Sequence, residues 1–297
     1  MDHVLKIPLG NGSGEVYLKG YPAEGYPIEG YPAEGVSPDK EDQLRPAVII
    51  CPGGGYLCIA EQEAEPVARR FAEEGFVPFI LYYSIMEQAR YRTGQPFKPV
   101  LELKEAFRIL HQKGKQWGAD QKRILLAGSS AGGHLALQYC GEVCCGVPGV
   151  AAAEKQSTVA MSEPALLRPA AILLSYPLTD YRYLNQDWST GEGDLKIDLH
   201  RLAKKKIFGT ADPDEEQLEA LNIIHRLDEN LPPTFIWHSR DDGVIDVESS
   251  LRLERRLKAL GVPCKLHLLE KGIHGEPLEN PAWIAIALEW LRGVQRY

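Results

Sequence analysis

Short apolar runs alternate along this chain with stretches of helical periodicity, and this alternation restricts the fold more than any other feature. The apolar runs are nearly continuous, as in strands that are buried on both faces of a sheet. The predicted strands are residues 47–51, 76–82, 124–127, 170–175, 234–238 and 265–269, and the predicted helices are residues 63–74, 99–113, 131–140, 247–260 and 281–296. Strands and helices in this order predict an α/β fold with a mostly parallel central sheet flanked by helices.

The N-terminal part of the chain departs from this alternation. A five-residue unit, YPxEG, occurs three times in residues 21–35. Each unit contains a Pro and a Gly, which disfavour a helix or a central strand. We expect residues 1–45 to form an extended or turn-rich arm that packs on a main domain of residues 46–297. The arm is either a surface connector or a contributor to an oligomer contact or to the wall of a functional site.

A second departure lies in residues 177–231, which are polar and aromatic. We expect a small insertion over the C-terminal edge of the sheet, because folds of this class place their sites there. The sequence leaves open whether this insertion is a plain surface excursion or a cap that contacts a substrate.

Charge and hydropathy restrict the partners. The formal net charge is −8, which disfavours nucleic acid and anionic membrane surfaces as partners. No run of about 18 apolar residues occurs, so we expect no membrane span. The acidic balance is compatible with a neutral small-molecule substrate. Dimers are common among soluble enzymes, and a homodimer is the expected assembly on that ground alone.

The cysteines indicate the compartment. None of the six belongs to a zinc-like pair of C-x-x-C units, so we expect reduced, buried thiols and neither a metal nor another cofactor. Reduced thiols are typical of the cytoplasm. The first residues, MDHVLKIPLGNGSG, lack a basic start followed by an apolar core, so they do not resemble a signal peptide. We expect a cytoplasmic protein.

The segment Gly128-Ser129-Ser130-Ala131-Gly132 matches the pattern G-x-S-x-G. A predicted strand runs into it and a helix rich in small residues leaves it, which is the strand-to-helix elbow that presents a nucleophilic serine. The tight turn holds the serine in a strained conformation and directs the helix N-terminus toward the reacting centre. Ser130 is the candidate nucleophile, and Ser129 is one residue out of place. The alternative is a Gly/Ser turn that only caps a helix.

A second glycine-rich segment, Pro52-Gly53-Gly54-Gly55-Tyr56, follows the first predicted strand. Acyl transfer places negative charge on a carbonyl oxygen, and preorganised N–H donors stabilise that charge. We assign these donors to the N–H groups of Gly54, Gly55 and Ala131, and Tyr56 is a candidate substrate-binding residue. A phosphate-binding loop is the main alternative, but the segment lacks the G-K-[ST] ending. A merely tight turn is the other.

A serine hydroxyl becomes a strong nucleophile when a base takes its proton. Enzymes with this elbow follow the chain order serine, acid, histidine. His274 lies between the last predicted strand and the last helix, where a loop can reach back over the elbow. His238 is the second choice. We expect His267, within a strand, to pack or to face water, and His134 to pack locally.

The acid should end the strand that precedes this histidine. Asp242, just before Gly243, is the first choice, and Asp241 is the next. Asp246 is a candidate for capping the following helix. The acid would orient the imidazole and stabilise its charged form.

Together the segments PGGGY, GSSAGGHLA, PPTFIWHSRDDGVIDVESS and GIHG resemble bacterial α/β-hydrolase esterases of the acetyl-xylan esterase-like or sugar-ester hydrolase branch, which is related to hormone-sensitive-lipase-like esterases. The resemblance covers about residues 45–295. It implies an α/β-hydrolase fold with Ser130, Asp242 and His274 as the catalytic triad. Two positions depart from the pattern. Asp246 stands where the family often has Pro, and Pro52 stands where wider relatives have His.

The resemblance implies a serine carboxylester hydrolase that removes short acyl groups, above all acetyl, from sugars or oligosaccharides through an acyl-enzyme. One alternative is a broad short-chain carboxylesterase, a lipase or a peptidase on the same triad. The other is a non-catalytic binding protein on a hydrolase scaffold. Fold alone does not decide among them.

Overall fold

All the predicted strands and helices are present, and their order confirms the α/β class. The computed structural model describes residues 4–10, 15–24, 44–146, 167–192, 195–275 and 281–294. The strands are β1 (Leu5–Pro8), β2 (Tyr17–Gly20), β3 (Arg45–Cys51), β4 (Val77–Tyr82), β5 (Ala119–Ser129), β6 (Ala171–Ser175), β7 (Ser189–Thr190), β8 (Ile197–Asp198), β9 (Thr234–Ser239) and β10 (Cys264–Leu269). The helices are α1 (Glu65–Glu73), α2 (Lys98–Lys113), α3 (Ala131–Val143), α4 (Leu199–Phe208), α5 (Glu215–Leu221), α6 (Glu248–Ala259) and α7 (Trp283–Val294).

The described residues form one eight-stranded sheet in the order β1-β2-β4-β3-β5-β6-β9-β10. Strands β4, β3, β5, β6, β9 and β10 run parallel to one another. The carboxyl ends of these strands therefore meet at one edge of the sheet, where ligands bind in open α/β folds. This arrangement is the α/β-hydrolase fold that the sequence predicted.

Successive side chains of β3 enter two different cores, as the two-residue period of a strand requires. Ala47 and Ile49 face one core with helices α2, α3 and α6, whereas Val48 and Ile50 face the other core with helices α1 and α7. Because both faces are covered, the strand is apolar at nearly every position. This explains why continuous apolar runs marked the central strands in the sequence.

The N-terminal residues extend the central sheet. This corrects the expectation that they form only an extended or turn-rich arm. Strands β1 and β2 pair antiparallel with each other, and β2 pairs antiparallel with β4. Leu18 is fully buried, while Tyr17 and Lys19 on either side are partly exposed. Of the YPxEG repeat, residues 21–24 lie against the domain, where the Tyr21 N–H donates to the Pro78 carbonyl at 3.1 Å. The later repeat units lie outside the described residues.

The insertion of residues 177–231 contains helices α4 and α5 and the short antiparallel pair β7–β8. Its first part is fastened to the loop after β9. The Asn185 N–H donates to the Val244 carbonyl at 2.8 Å, and the Asp246 N–H donates to the Tyr183 carbonyl at 2.9 Å. The insertion thus lies along the carboxyl edge of the sheet, as expected. Across the described ranges, no helix is both long and apolar enough to cross a membrane.

Gly132 provides a test of the contact between α3 and β3. A Cβ at this position would lie 1.9 Å from the Cys51 carbonyl oxygen. We expect Gly132→Ala to lower the free energy of unfolding by about 3 kcal/mol or more, because backbone atoms cannot yield to the added methyl. Urea titration followed by circular dichroism measures this change.

The matched control is Gly293→Ala near the end of α7, where an added Cβ meets nothing within 4 Å. This substitution should be neutral or stabilise by up to about 1 kcal/mol, because alanine favours the helix. Equal effects of the two substitutions would contradict the account of the contact.

Candidate active site

Ser130 lies at a sharp turn between β5 and α3. Its backbone has φ 53° and ψ −119°, a conformation that non-glycine residues rarely adopt and that carries strain. The turn is held in place because the Ser130 N–H donates to the Ser175 carbonyl at 3.0 Å. This is the strand-to-helix elbow that the pattern G-x-S-x-G predicts.

The structure brings Ser130, His274 and Asp242 into one chain of hydrogen bonds. His274 Nε2 lies 3.1 Å from Ser130 Oγ, and His274 Nδ1 lies 2.8 Å from Asp242 Oδ2. The carboxylate accepts the hydrogen of Nδ1, so Nε2 is free to accept the hydrogen of the serine hydroxyl. This geometry can support transfer of the Ser130 proton to His274.

The Asp242 side chain is 1% exposed, and its contacts keep it ionised. Burial by itself raises the pKa of the carboxyl. Hydrogen bonds from His238 and His274, the charge of His274 and the Ile245 N–H outweigh burial and hold the pKa well below its ordinary value. Asp242 Oδ1 also accepts the Val244 N–H at 2.8 Å. A permanently charged acid beside the imidazole follows from these contacts.

His238, the second choice for the base, lies on the far side of Asp242. Its Nε2 is 3.2 Å from Asp242 Oδ2 and 3.1 Å from the Ile245 carbonyl oxygen, and its Nδ1 is 2.7 Å from Ser250 Oγ. Two acceptors face Nε2, which assigns the hydrogen to that nitrogen. His238 therefore orients the acid, a role that sequence reasoning missed because it depends on contacts with α6.

The alternative acids have other partners. Asp241 Oδ1 accepts the Gly272 N–H at 2.8 Å and so anchors the loop that carries His274. Asp246 Oδ1 accepts the Glu248 N–H at 2.8 Å at the start of α6, where Val247 holds the N-cap position. His267 packs locally as expected, with its ring stacked on Trp237 at a centroid distance of 4.6 Å.

The glycine loop lies against the elbow. A Cβ on Gly53 would lie 2.8 Å from Ser130 Cβ, and Gly54 and Gly55 have φ values of +115° and +63°. The Gly53 N–H is committed to Glu63 Oε2 at 2.5 Å, so Gly53 cannot serve as the donor. Ala131, the first residue of α3, directly follows Ser130, and Gly54 and Gly55 follow Gly53 in the loop. The donor role of these three residues stays a prediction.

Tyr56 does not line the site, and the prediction of substrate contact is wrong. Its φ of 59° turns the ring into the core, where the side chain is fully buried. The hydroxyl lies 2.9 Å from Nδ1 of His134, which is also fully buried, and His134 Nε2 lies 3.1 Å from the Leu221 carbonyl oxygen. Tyr56 and His134 therefore belong to the buried core and not to the surface of the site.

Glu63 and Tyr176 also contact the site, and no sequence motif predicted either of them. Glu63 is buried beneath the glycine loop and accepts the Tyr176 hydroxyl at 3.2 Å on Oε1. The Tyr176 ring packs on the His274 ring at a centroid distance of 4.5 Å. The two residues are separated by 113 positions, so no local pattern could have joined them.

Comparison with known proteins decides the family. The model of the BD-FAE family matches residues 36–257, which is more than half of the chain. The chain belongs to the BD-FAE family. This result and the α/β-hydrolase fold of its structural relatives confirm the resemblance to esterases of the acetyl-xylan esterase-like branch.

Individual relatives of this BD-FAE member are distant. Endo-1,4-beta-xylanase B of Butyrivibrio fibrisolvens is 25% identical over 81% of this chain and 34% of its own length. Acetylxylan esterase of Xylanibacter ruminicola is 23% identical over 77% of this chain and 40% of its own length. The chain thus spans well under two thirds of these curated relatives. The crystal structure of an acetyl ester-xyloside bifunctional hydrolase from Caldicellulosiruptor lactoaceticus superposes with a TM-score of 0.70, at 25% identity over 98% of this chain and 96% of the other.

The two neighbouring aspartates of this BD-FAE member provide a matched test. We expect Asp242→Asn to slow labelling of Ser130 by a fluorophosphonate probe by about 10³-fold or more, because an amide lacks the charge and favours the wrong imidazole tautomer. Asp241→Asn should stay within about threefold, since its amide oxygen still accepts the Gly272 N–H. Equal losses in the two variants would contradict the assignment of the acid.

His134 should make the stability of this BD-FAE member depend on pH. Burial lowers the pKa of His134 to about 4, with a smaller opposing effect of the Leu221 carbonyl. Below the ordinary value of 6.5 the unfolded chain gains a proton that the folded chain does not, so stability falls as the pH drops from about 6.5 to 4.

The expected loss between pH 7 and pH 4.5 is about 2 kcal/mol from this residue. Urea titrations of the wild type and His134→Gln at both pH values measure it. The variant should lose less unfolding free energy than the wild type between the two pH values. Equal losses in the two proteins would refute the assignment.

Proposed function

We propose that this BD-FAE member is a serine carboxylester hydrolase that removes short acyl groups, above all acetyl, from sugars or oligosaccharides. The hydrogen-bonded chain of Ser130, His274 and Asp242 beside the glycine loop carries the proposal. The names of the acetylxylan esterase and of the acetyl ester-xyloside hydrolase support the acetyl and sugar parts of the substrate.

In the proposed mechanism, Ser130 Oγ attacks the ester carbonyl carbon while His274 Nε2 takes the hydroxyl proton. Asp242 stabilises the imidazolium that forms, and the N–H groups of Gly54, Gly55 and Ala131 bind the oxyanion. The sugar alcohol leaves with the proton from His274, and the acyl group stays on Ser130. His274 then deprotonates a water molecule, whose attack releases the carboxylic acid and restores the serine.

One contact beside the glycine loop supports the proposal of a short acyl group. Trp188 of the insertion covers this loop, because a Cβ on Gly55 would lie 2.7 Å from Cη2 of the indole. The ring limits the space beside the predicted oxyanion donors. We therefore propose that the insertion acts as a cap and restricts the acyl group to a few carbons, while the sugar points toward solvent. The homodimer and the cytoplasmic location stay predictions.

Purified protein should hydrolyse p-nitrophenyl acetate and acetylated xylo-oligosaccharides, with the acetate ester cleaved at least about tenfold faster than the decanoate ester, because each surplus methylene must find space. Acetate release and p-nitrophenol absorbance are the measurements. Preference for decanoate would indicate a lipase instead, and inactivity of folded protein on both acetyl substrates would refute the proposal.

Two serine variants separate an enzyme from a binding protein on the same scaffold. Ser130→Ala should abolish both hydrolysis and fluorophosphonate labelling, whereas Ser129→Ala, which removes the neighbouring hydroxyl, should remain labelled.

A further inference from the structure

Glu63 is a buried carboxylate that the mechanism above does not use. It ends the short 3₁₀ turn Glu61–Glu63 before α1, and the residue is 3% exposed. Both of its oxygens have partners. Oε2 accepts the Gly53 N–H at 2.5 Å, and Oε1 accepts the Tyr176 hydroxyl at 3.2 Å. Burying a carboxylate costs free energy unless hydrogen bonds and charges compensate for the lost water.

Each of these contacts leads to a reacting group. Gly53 is the residue of the glycine loop that lies against Ser130 Cβ, so a hydrogen bond that holds Gly53 also holds the loop. Tyr176 packs its ring on the ring of His274. Glu63 therefore connects the predicted oxyanion loop, through its hydrogen bond to Gly53, with Tyr176, whose ring packs on the base.

The charge of Glu63 also acts on His274. Burial raises the pKa of the Glu63 carboxyl above its ordinary value, and the charge of His274, the Gly53 N–H and the Tyr176 hydroxyl offset only part of this effect. The other titratable groups near Glu63 are Cys58 and Tyr83. Among the residues that the structure describes, no lysine or arginine forms an ion pair with Glu63.

The environment of His274 shows what this charge can do. Asp242 faces the ring from the loop after β9, Ser130 faces it from the elbow, and Tyr176 covers it. Proton transfer from Ser130 places a positive charge on this ring, whose side chain is only 15% exposed. A second carboxylate stabilises that charge most where the effective dielectric constant is low.

We propose that Glu63 is a positioning residue, whose carboxylate fixes the glycine loop through Gly53 and stabilises the imidazolium of His274 by its negative charge. The inference rests on the proposed function, because it takes acyl transfer at Ser130 as the reaction. It does not depend on which ester is cleaved.

Glu63→Gln separates charge from shape. The amide oxygen can still accept the Gly53 N–H, and the amide N–H can donate to the Tyr176 hydroxyl oxygen, so the hydrogen bonds survive and only the charge is lost. We expect the acid limb of the pH–rate profile to move to lower pH by about half a unit or more, because the imidazolium loses a counter-charge. We expect kcat on p-nitrophenyl acetate to fall about tenfold with KM within about threefold.

Glu61→Gln is the matched control, because Glu61 lies in the same turn and its Oε2 accepts the Tyr82 hydroxyl instead. Its pH profile and kcat should equal those of the wild type. Tyr176→Phe is the second variant. It keeps the ring on His274 but removes a hydrogen bond that favours the charged form of Glu63. The pKa of this carboxyl rises further and less negative charge faces the imidazolium, so the acid limb should move in the same direction by a smaller amount.

A folded Glu63→Gln variant with the wild-type pH profile and kcat would overturn the proposal. If this variant does not fold, the pH profile of Tyr176→Phe decides, and an unmoved acid limb overturns the proposal.

If wild-type Ser130 is not labelled by the fluorophosphonate probe, the proposed function fails by itself. NMR titration of the His274 ring in the wild type and in Glu63→Gln then tests the charge coupling directly. A displaced titration curve supports the coupling, and superimposed curves refute it.

Discussion

The active site depends on a backbone contact that leaves no room for a side chain. Gly132 in the first turn of α3 lies so close to the end of β3 that an added Cβ would overlap the Cys51 carbonyl and lie 2.5 Å from the Pro52 carbonyl. This approach brings the start of the helix and the start of the glycine loop together. Ser130 and Gly53 become neighbours as a result, and Glu63 can then reach the loop from below.

Local patterns predicted the central strands, the flanking helices and the residues of the Ser130–His274–Asp242 chain, because each depends on a few consecutive residues. Apolar runs identify strands that are covered on both faces, and a serine between glycines identifies the elbow. The sequence did not predict β1 and β2, because each strand has only four residues and its hydrophobic pattern is too short to identify. The prediction that Tyr56 contacts the substrate was wrong because its ring is buried in the core. The positive φ at this residue, which accompanies that orientation, cannot be read from the sequence.

The contacts that orient the site could not be predicted, because they join distant segments. His238 reaches Ser250 on α6, and Glu63 reaches Tyr176 on the loop after β6. In both cases the side chain is an ordinary polar residue in the sequence. Only the sheet order, which places β3, β5, β6 and β9 side by side, makes these residues neighbours of the reacting groups.

The insertion is fastened to the loop of the acid by hydrogen bonds of Asn185 and Tyr183, while its Trp188 covers Gly55. Under the proposed function, selection of the acyl group by the cap and orientation of the acid are therefore coupled. A chimera that exchanges residues 177–231 alone would pair a foreign cap with a native acid loop and disturb the position of Asp242. The unit that can be transplanted between relatives is the cap together with residues 242–247.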